Sequence, residues 1–159
     1  MAGAWRAMKP ADLPAVKAIS DAVHGAYTEA EAVYAERLAL YPDGCRIFDQ
    51  DGAVLGYLIA HPWRSDAPPA LDTLLGAIPA TADIHYLHDL ALLPAARGSG
   101  AGASGSAAAI AQAQAAGYKR VMLMAVGGAD SFWERQGFAR VPGQIASYGT
   151  EACLMERWL

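Results

Sequence analysis

Leu90-Ala91-Leu92-Leu93-Pro94-Ala95-Ala96-Arg97-Gly98-Ser99-Gly100-Ala101-Gly102-Ala103-Ser104-Gly105 is the stretch that decides how this chain folds. Its apolar start, closed by Pro94, reads as the end of a strand. The glycines read as a tight loop, and the alanine-rich residues that follow read as a helix running to about Ala116, with Gly117 as its stop. A strand that passes through closely spaced glycines into a helix leaves backbone N–H groups unpaired at the positive end of the helix dipole. A phosphate suits that arrangement, and a ligand-free flexible connection is the other use of such glycines.

Working outward, Ile84 to Leu93 forms the strand before the loop and Lys119 to Val126 the strand after the helix, which implies a parallel pair joined by a crossover. Upstream, Cys45 to Gln50 and Ala53 to Ala60 flank Asp51-Gly52, a turn that supplies positive φ and marks an antiparallel hairpin. The sheet is therefore mixed. Before it come a short strand from Ala4 to Met8 and a helix with Asp12 as N-cap, Pro14 in its first turn, and Leu13, Val16, Ile19 and Val23 at helical spacing. A second helix starts near Glu29, aligns Tyr34, Leu38 and Tyr41, and stops at Pro42-Asp43-Gly44. Residues 62–82, with four prolines, predict a loop that holds at most one short helix around Leu71 to Leu75 and shapes a substrate pocket. A short helix from Asp130 to Gln136 ends at Gly137, and final strands are expected over Phe138 to Ile145 and Tyr148 to Trp158. No internal repeat or second domain is visible, so residues 1–159 are expected to form a single domain.

Composition narrows the function. With 54% apolar and 18% charged residues, the chain can fill one sizeable core. A net charge of -4 argues against a nucleic-acid surface, so an anionic ligand must be held locally. Cys45 and Cys153 have neither CxxC spacing nor a histidine cluster, which indicates no disulfide framework and no metal site. The N-terminus lacks a signal-peptide pattern, and no run approaches the roughly 20 apolar residues of a membrane span; a cytoplasmic protein without membrane partners is expected.

Three phosphate motifs compete for the loop. Gly100-Ala101-Gly102-Ala103-Ser104-Gly105 satisfies the dinucleotide pattern G-x-G-x-x-G, but the next strand ends Ala125-Val126-Gly127-Gly128 without the acidic residue that holds a ribose. A nucleoside-triphosphate loop needs Gly-Lys-Ser/Thr, which is missing. The third pattern, Arg97-x-x-Gly100-x-Gly102, resembles the R/Q-x-x-G-x-G/A motif of the GNAT N-acetyltransferase superfamily. The similarity runs from about His85 to Phe138 and includes Ala129-x-x-Phe132-Trp133-x-x-x-Gly137-Phe138, with a further match at Arg6-x-x-x-Pro10-x-Asp12-Leu13.

The resemblance implies an α/β (α+β) GNAT fold, a mixed central sheet of six to seven strands flanked by about four helices. It implies acetyl-CoA (coenzyme A) as co-substrate without a metal, and transfer of acetyl to a primary amine of a small molecule or peptide. Arg97, Gly98, Ser99, Gly100, Ala101 and Gly102 would hold the pyrophosphate. The backbone of Leu90, Ala91 and Leu92 would pair with the pantetheine arm as if it were another strand. Tyr86-Leu87-His88-Asp89-Leu90-Ala91-Leu92 resembles the His-Leu-His-Ala-Leu-Ala-Val stretch of arylalkylamine N-acetyltransferases, with His88 matching the second histidine and Tyr86 replacing the first. His88 is the base this implies, with a hydrogen-bonded core histidine as its bland counterpart. Strand alternation sets Tyr86 and His88 on one face and His85 and Asp89 on the other, so the two pairs share no pocket unless a bulge intervenes.

Trp133 departs from the family pattern, in which a tyrosine after the phenylalanine protonates the leaving thiolate; an indole is no practical acid. Tyr148 is a candidate replacement. Phe132 and Trp133 either pack on the cofactor or fill the gap between helix and sheet. His24 and His61 have no partner legible in the sequence, and Cys45 and Cys153 read as small buried residues. Tyr41 and Trp63 are assigned to packing or to the acceptor side. The family admits a homodimer without fixing one here. The reading from another class is a catalytically silent acyl-CoA-binding regulatory module of the same fold.

Overall fold

A computed structural model of the chain describes residues 2–143 and 145–159. Its centre is a seven-stranded sheet of Ala4–Ala7 (β1), Cys45–Gln50 (β2), Ala53–Trp63 (β3), Ile84–Leu92 (β4), Arg120–Ala125 (β5), Ala139–Arg140 (β6) and Cys153–Trp158 (β7), in the order β1-β2-β3-β4-β5-β7-β6. Every neighbouring pair is antiparallel except β4 and β5. The β2–β3 hairpin turns at Asp51 and Gly52 with φ of 54° and 86°, the doubly positive pair that matches strand twist.

Among the described residues four α-helices cover the sheet: Leu13–His24 (α1), Glu31–Leu40 (α2), Ala101–Ala115 (α3) and Asp130–Arg135 (α4). Val16, Ile19, Tyr34 and Leu38 pack with Ile47, Tyr57 and Ile59 on one side of the sheet. Ala109, Ile110, Ala113 and Trp133 pack with Leu58, Leu87, Leu123 and Met155 on the other. The alternating inward positions of β3 thus serve both layers, as a sheet covered on two faces requires.

Several local expectations are corrected. Asp12 does not cap α1: its carboxylate accepts the Lys9 amide at 2.8 Å across the turn Pro10–Asp12 and pairs with Arg6 at 2.8 Å. β3 continues through Pro62 to Trp63, so the loop begins later, and no helix forms around Leu71 to Leu75. Asp72 at φ 56° and Gly76 at φ 81° interrupt any helical path there. The strand expected over Phe138 to Ile145 shrinks to Ala139–Arg140, and Gln144 lies outside the described residues; Ala146–Tyr148 is a 3-10 turn and β7 starts only at Cys153.

Two irregularities in β4 position the site. Opposite β3, Ile59 faces Asp89 while Ala60 faces Leu87, so His88 is an extra residue and the strand bulges there. Opposite β5, pairing is confined to His85 with Val121 and Tyr86 with Met122. Beyond those rungs the parallel strands part, although β4 runs on to Leu92 and β5 to Ala125.

Candidate active site

The bulge cancels the strict alternation of β4. Leu87 and Leu90 join the α3 side, whereas His88 and Asp89, consecutive in sequence, both reach partners on the α1 and α2 side. His88 Nε2 lies 2.6 Å from Oε1 of Glu29, at side-chain exposures of only 1% and 3%. Asp89 Oδ1 lies 2.7 Å from Nε2 of His24, and its Oδ2 accepts the Tyr57 hydroxyl at 2.5 Å. The carboxylate partner places the proton of each imidazole on Nε2 and leaves a lone pair on Nδ1.

Glu29 is the hub of a buried network. Its Oε2 accepts the Asp72 amide at 2.8 Å, tying the long loop to the site, and its own amide donates to the Tyr34 hydroxyl at 3.2 Å. Tyr34 is bonded to Ser20 at 2.6 Å. His88 Nδ1 is sealed and meets no partner among the described residues. Around Asp89, burial disfavours the charged form, but the His24 imidazole and the Tyr57 hydroxyl outweigh it and hold the carboxyl below its usual range. His24 is the mirror case: burial opposes the imidazolium, and the Asp89 carboxylate, with Glu29 further off, raises its pKa above the ordinary value.

Both pairs line one cavity of about 340 Å³, closed by Tyr27, Leu71, Met124, Trp133 and Tyr148. It occupies the gap where β4 and β5 part. A second cavity of about 500 Å³ lies along Leu90, Ala91 and Leu92 and the loop residues Arg97, Gly98, Gly100 and Gly102, with Phe132 and Trp133 opposite. Leu90, Arg97, Ala129 and Trp133 line both, so the two spaces adjoin.

The loop offers unpaired amides to an anion. Gly98 and Gly100 sit at φ 79° and 83°, the left-handed region that only glycine enters at little cost. The amides of Gly98, Gly100, Gly102 and Ala103 find no acceptor among the described residues, at the start of a 15-residue helix. The remaining predicted loop residues are placed differently. Ser99 bonds to the Ala96 carbonyl and accepts the Ala101 amide at 3.3 Å, so it closes the loop instead of lining the cavity. Ala101 is buried and its carbonyl accepts the Trp5 indole at 3.1 Å. Arg97 donates to the Leu92 carbonyl at 3.2 Å, which anchors the loop to the strand end. A Cβ on Gly102 would stand 3.1 Å from the Phe132 ring, so this glycine also makes room for α4.

Of the predicted acid and base residues, His88 and Tyr148 line the first cavity and Tyr86 lines neither. Tyr86 is fully buried with Ile84, Met122 and Leu154, its hydroxyl has no partner among the described residues, and burial pushes its pKa up. Its ring lies 6.3 Å from that of His88 and shapes the wall behind it. Tyr148 stacks on Tyr27 with centroids 6.2 Å apart; burial raises its pKa as well, so its phenol holds its proton. Trp133 packs edge-on against Phe132 and Phe138, at 4.9 and 5.4 Å, while bordering both cavities. His24, Glu29 and Asp89 were missed as site residues, because their partners lie 65 and 59 residues away in sequence. Among the described residues no cluster of histidine, cysteine or acidic side chains could hold a metal. No helix among them is long and apolar enough to cross a membrane.

A mixed sheet that splits between its two parallel strands, with a glycine-rich helix start at the mouth of the split, is the architecture of an acyl-donor-binding transferase fold. The sequence matches the model of the acetyltransferase (GNAT) family over residues 14–138, and the chain belongs to that family. A search of curated proteins gives no match. Among solved structures, it is similar to Ard1 from Thermoplasma volcanium, with a TM-score of 0.77 at 16% identity over 100% of this chain and 99% of that one. It is similar to the loading GNATL domain of CurA from Lyngbya majuscula, with a TM-score of 0.82 at 13% identity over 99% and 98%. Naa20 from Chaetomium thermophilum, solved with a bisubstrate analogue, gives a TM-score of 0.71 at 20% identity over 98% and 86%. At such identities the likeness shows the shared fold.

Proposed function

We propose that this protein transfers acetyl from acetyl-CoA to a primary amine of a small molecule or peptide, by direct attack without an acyl-enzyme intermediate. The carrying observation is the bulge at His88, which sets two histidine–carboxylate pairs in the cavity that adjoins the glycine-loop cavity. Bound acetyl-CoA supplies a thioester carbonyl that a neutral amine can attack. The free amides of Gly98, Gly100, Gly102 and Ala103 hold its phosphates, and the open edge of β4 from Leu87 to Leu92 takes the pantetheine arm as an added strand.

Glu29 and Asp89 draw an ammonium group into the first cavity, where Tyr27, Tyr148 and Trp133 limit water. His88 lines that cavity with Nδ1 covered from bulk water; an acceptor that packs against the ring displaces this cover and gives Nδ1 a proton, while Glu29 holds the ring from Nε2. Trp133 orients the donor without giving a proton. An acceptor that carries a positive charge fits a chamber with two carboxylates. Small amines and peptide N-termini are both compatible with it; a bisubstrate conjugate of coenzyme A and the peptide MVNAL was used with a structural neighbour, Arabidopsis thaliana Naa50.

A second reading, a module that binds acyl-CoA without turnover, draws its support from Trp133 standing where a proton donor is wanted. Thiol release from acetyl-CoA, followed over a panel of alkylamines and short peptides, decides between them. Amine-dependent release that is lost in His88→Gln supports transfer; tight donor binding without release for any amine supports the silent module.

A further inference from the structure

Acetyl transfer to an ammonium group must dispose of two protons from the same nitrogen. One leaves before attack, because only the neutral amine carries a lone pair. The other leaves as the C–N bond forms and the C–S bond breaks, and it ends on the departing thiolate, so that an ammonium and a thioester yield an amide, a thiol and one proton released to water. The cavity holds two histidine–carboxylate pairs of unequal depth. His88 and Glu29 are sealed, at 1% and 3% side-chain exposure, whereas His24 and Asp89 are 12% and 9% exposed. A proton taken by His88 has no route through its own ring to solvent, since Nδ1 is buried and Nε2 faces Glu29.

Building on the proposed transferase activity, we propose that His24, held by Asp89 and Tyr57, is a second base of the site: it removes the first proton from the entering ammonium and passes it to water, leaving His88 to take the second. His24 is the last residue of α1 and lines the cavity with its side chain 12% exposed. Its Nε2 is engaged by Asp89, whose other oxygen accepts the Tyr57 hydroxyl, so the ring is fixed with Nδ1 carrying the free lone pair. The charged groups around it are Asp89 from β4 and Glu29 from the turn before α2, with His88 acting on Asp89 from the bulge. Both carboxylates favour the imidazolium that forms when His24 accepts a proton. Neither the glycine loop nor the family motif contains this residue, and nothing near His24 in sequence marks it; the bulge alone brings Asp89 within reach.

The test compares acceptors that differ in one property. An alkylamine is charged at neutral pH and needs both deprotonations, whereas an O-alkylhydroxylamine of similar size is already neutral and needs only the second. His24→Gln should lower kcat/KM for the alkylamine at least tenfold and leave the hydroxylamine within about twofold, while His88→Gln lowers both. Asp89→Asn should follow His24→Gln in this selectivity. A separate readout is histidine NMR of the parent: one imidazole should titrate above the ordinary histidine value, be lost in His24→Gln and move down in Asp89→Asn. Equal losses for both acceptors in His24→Gln, or no loss for either, would overturn the role of His24 with transfer itself intact. Absence of transfer by the parent to any amine would overturn the transferase reading and this one with it.

Discussion

His88 and Glu29 meet through a single 2.6 Å hydrogen bond across 59 residues of sequence, and both side chains are sealed from solvent. Glu29 also holds the Asp72 amide at 2.8 Å, so one carboxylate fixes the ring in the bulge and the loop above it. Removing it strands the buried His88 Nε2 donor and unties the Asp72 amide of the loop. Glu29→Ala is expected to lower the unfolding free energy by about 3–5 kcal/mol, whereas Glu29→Gln, which keeps an acceptor, should cost roughly 1–2 kcal/mol. Urea titration of the three proteins measures the difference, and equal midpoints for Ala and Gln would contradict the network.

Gly100 opens α3 in the left-handed region with its amide free. Gly100→Val strains that conformation by roughly 1–2 kcal/mol and turns the amide away from a bound phosphate. Losing one charge-assisted hydrogen bond should weaken coenzyme A binding about tenfold to a hundredfold. Calorimetry on the variant, with circular dichroism as the check on folding, measures this. Unchanged affinity would remove the loop from donor binding.

Trp133 borders both cavities yet has no transferable proton. Trp133→Tyr puts a phenol at the junction, and turnover should rise, by about tenfold or more, if protonation of the thiolate limits the rate. The smaller ring leaves space beside Phe132 and Phe138, so a loss of roughly 1–3 kcal/mol in stability should accompany the gain. Steady-state kinetics well below the melting temperature separates the two effects; an unchanged kcat assigns the slow step elsewhere.

Stability should fall as the pH drops from 7 to 5. Burial depresses His61 to about 3 and His85 to about 4, so between those values and 6.5 the unfolded chain binds protons that the folded chain refuses. At pH 5 each refusal amounts to about 2 kcal/mol. His24 opposes this, because its raised pKa adds stability that is complete below 6.5 and is lost as the pH rises through its folded value. Asp89, held low, begins to lose its contribution only near and below 3.8. Two refusals outweigh one gain. Thermal melts at pH 7 and pH 5 should show a lower Tm at pH 5, and the double variant His61→Gln/His85→Gln should flatten the slope; an unchanged Tm in the parent would contradict the buried neutral state.

Much of this was legible in local sequence. Asp51-Gly52 marked the hairpin because two positive φ angles admit few residues, and Arg97 to Gly102 marked the helix start because glycine spacing is a backbone property. The acceptor side was not legible. Alternation alone assigns His88 and Asp89 to opposite faces, and only the register step opposite Ile59 and Ala60 unites them. Glu29 and His24 become site residues through contacts that no local pattern encodes. Tyr86, matched to a catalytic histidine by position, ends behind the cavity wall, since position along a strand does not fix which groups cover it.

The central claim, acetyl transfer to an amine in the cavity beside the bulge, is tested most directly by mass spectrometry of the acceptor. The protein is incubated with acetyl-CoA and a mixture of primary alkylamines and short peptides. The account predicts an acceptor heavier by one acetyl group, with an equal amount of free thiol, and neither product in His88→Gln. Free thiol without any acetylated acceptor, or an acetylated acceptor in undiminished yield from His88→Gln, would contradict it.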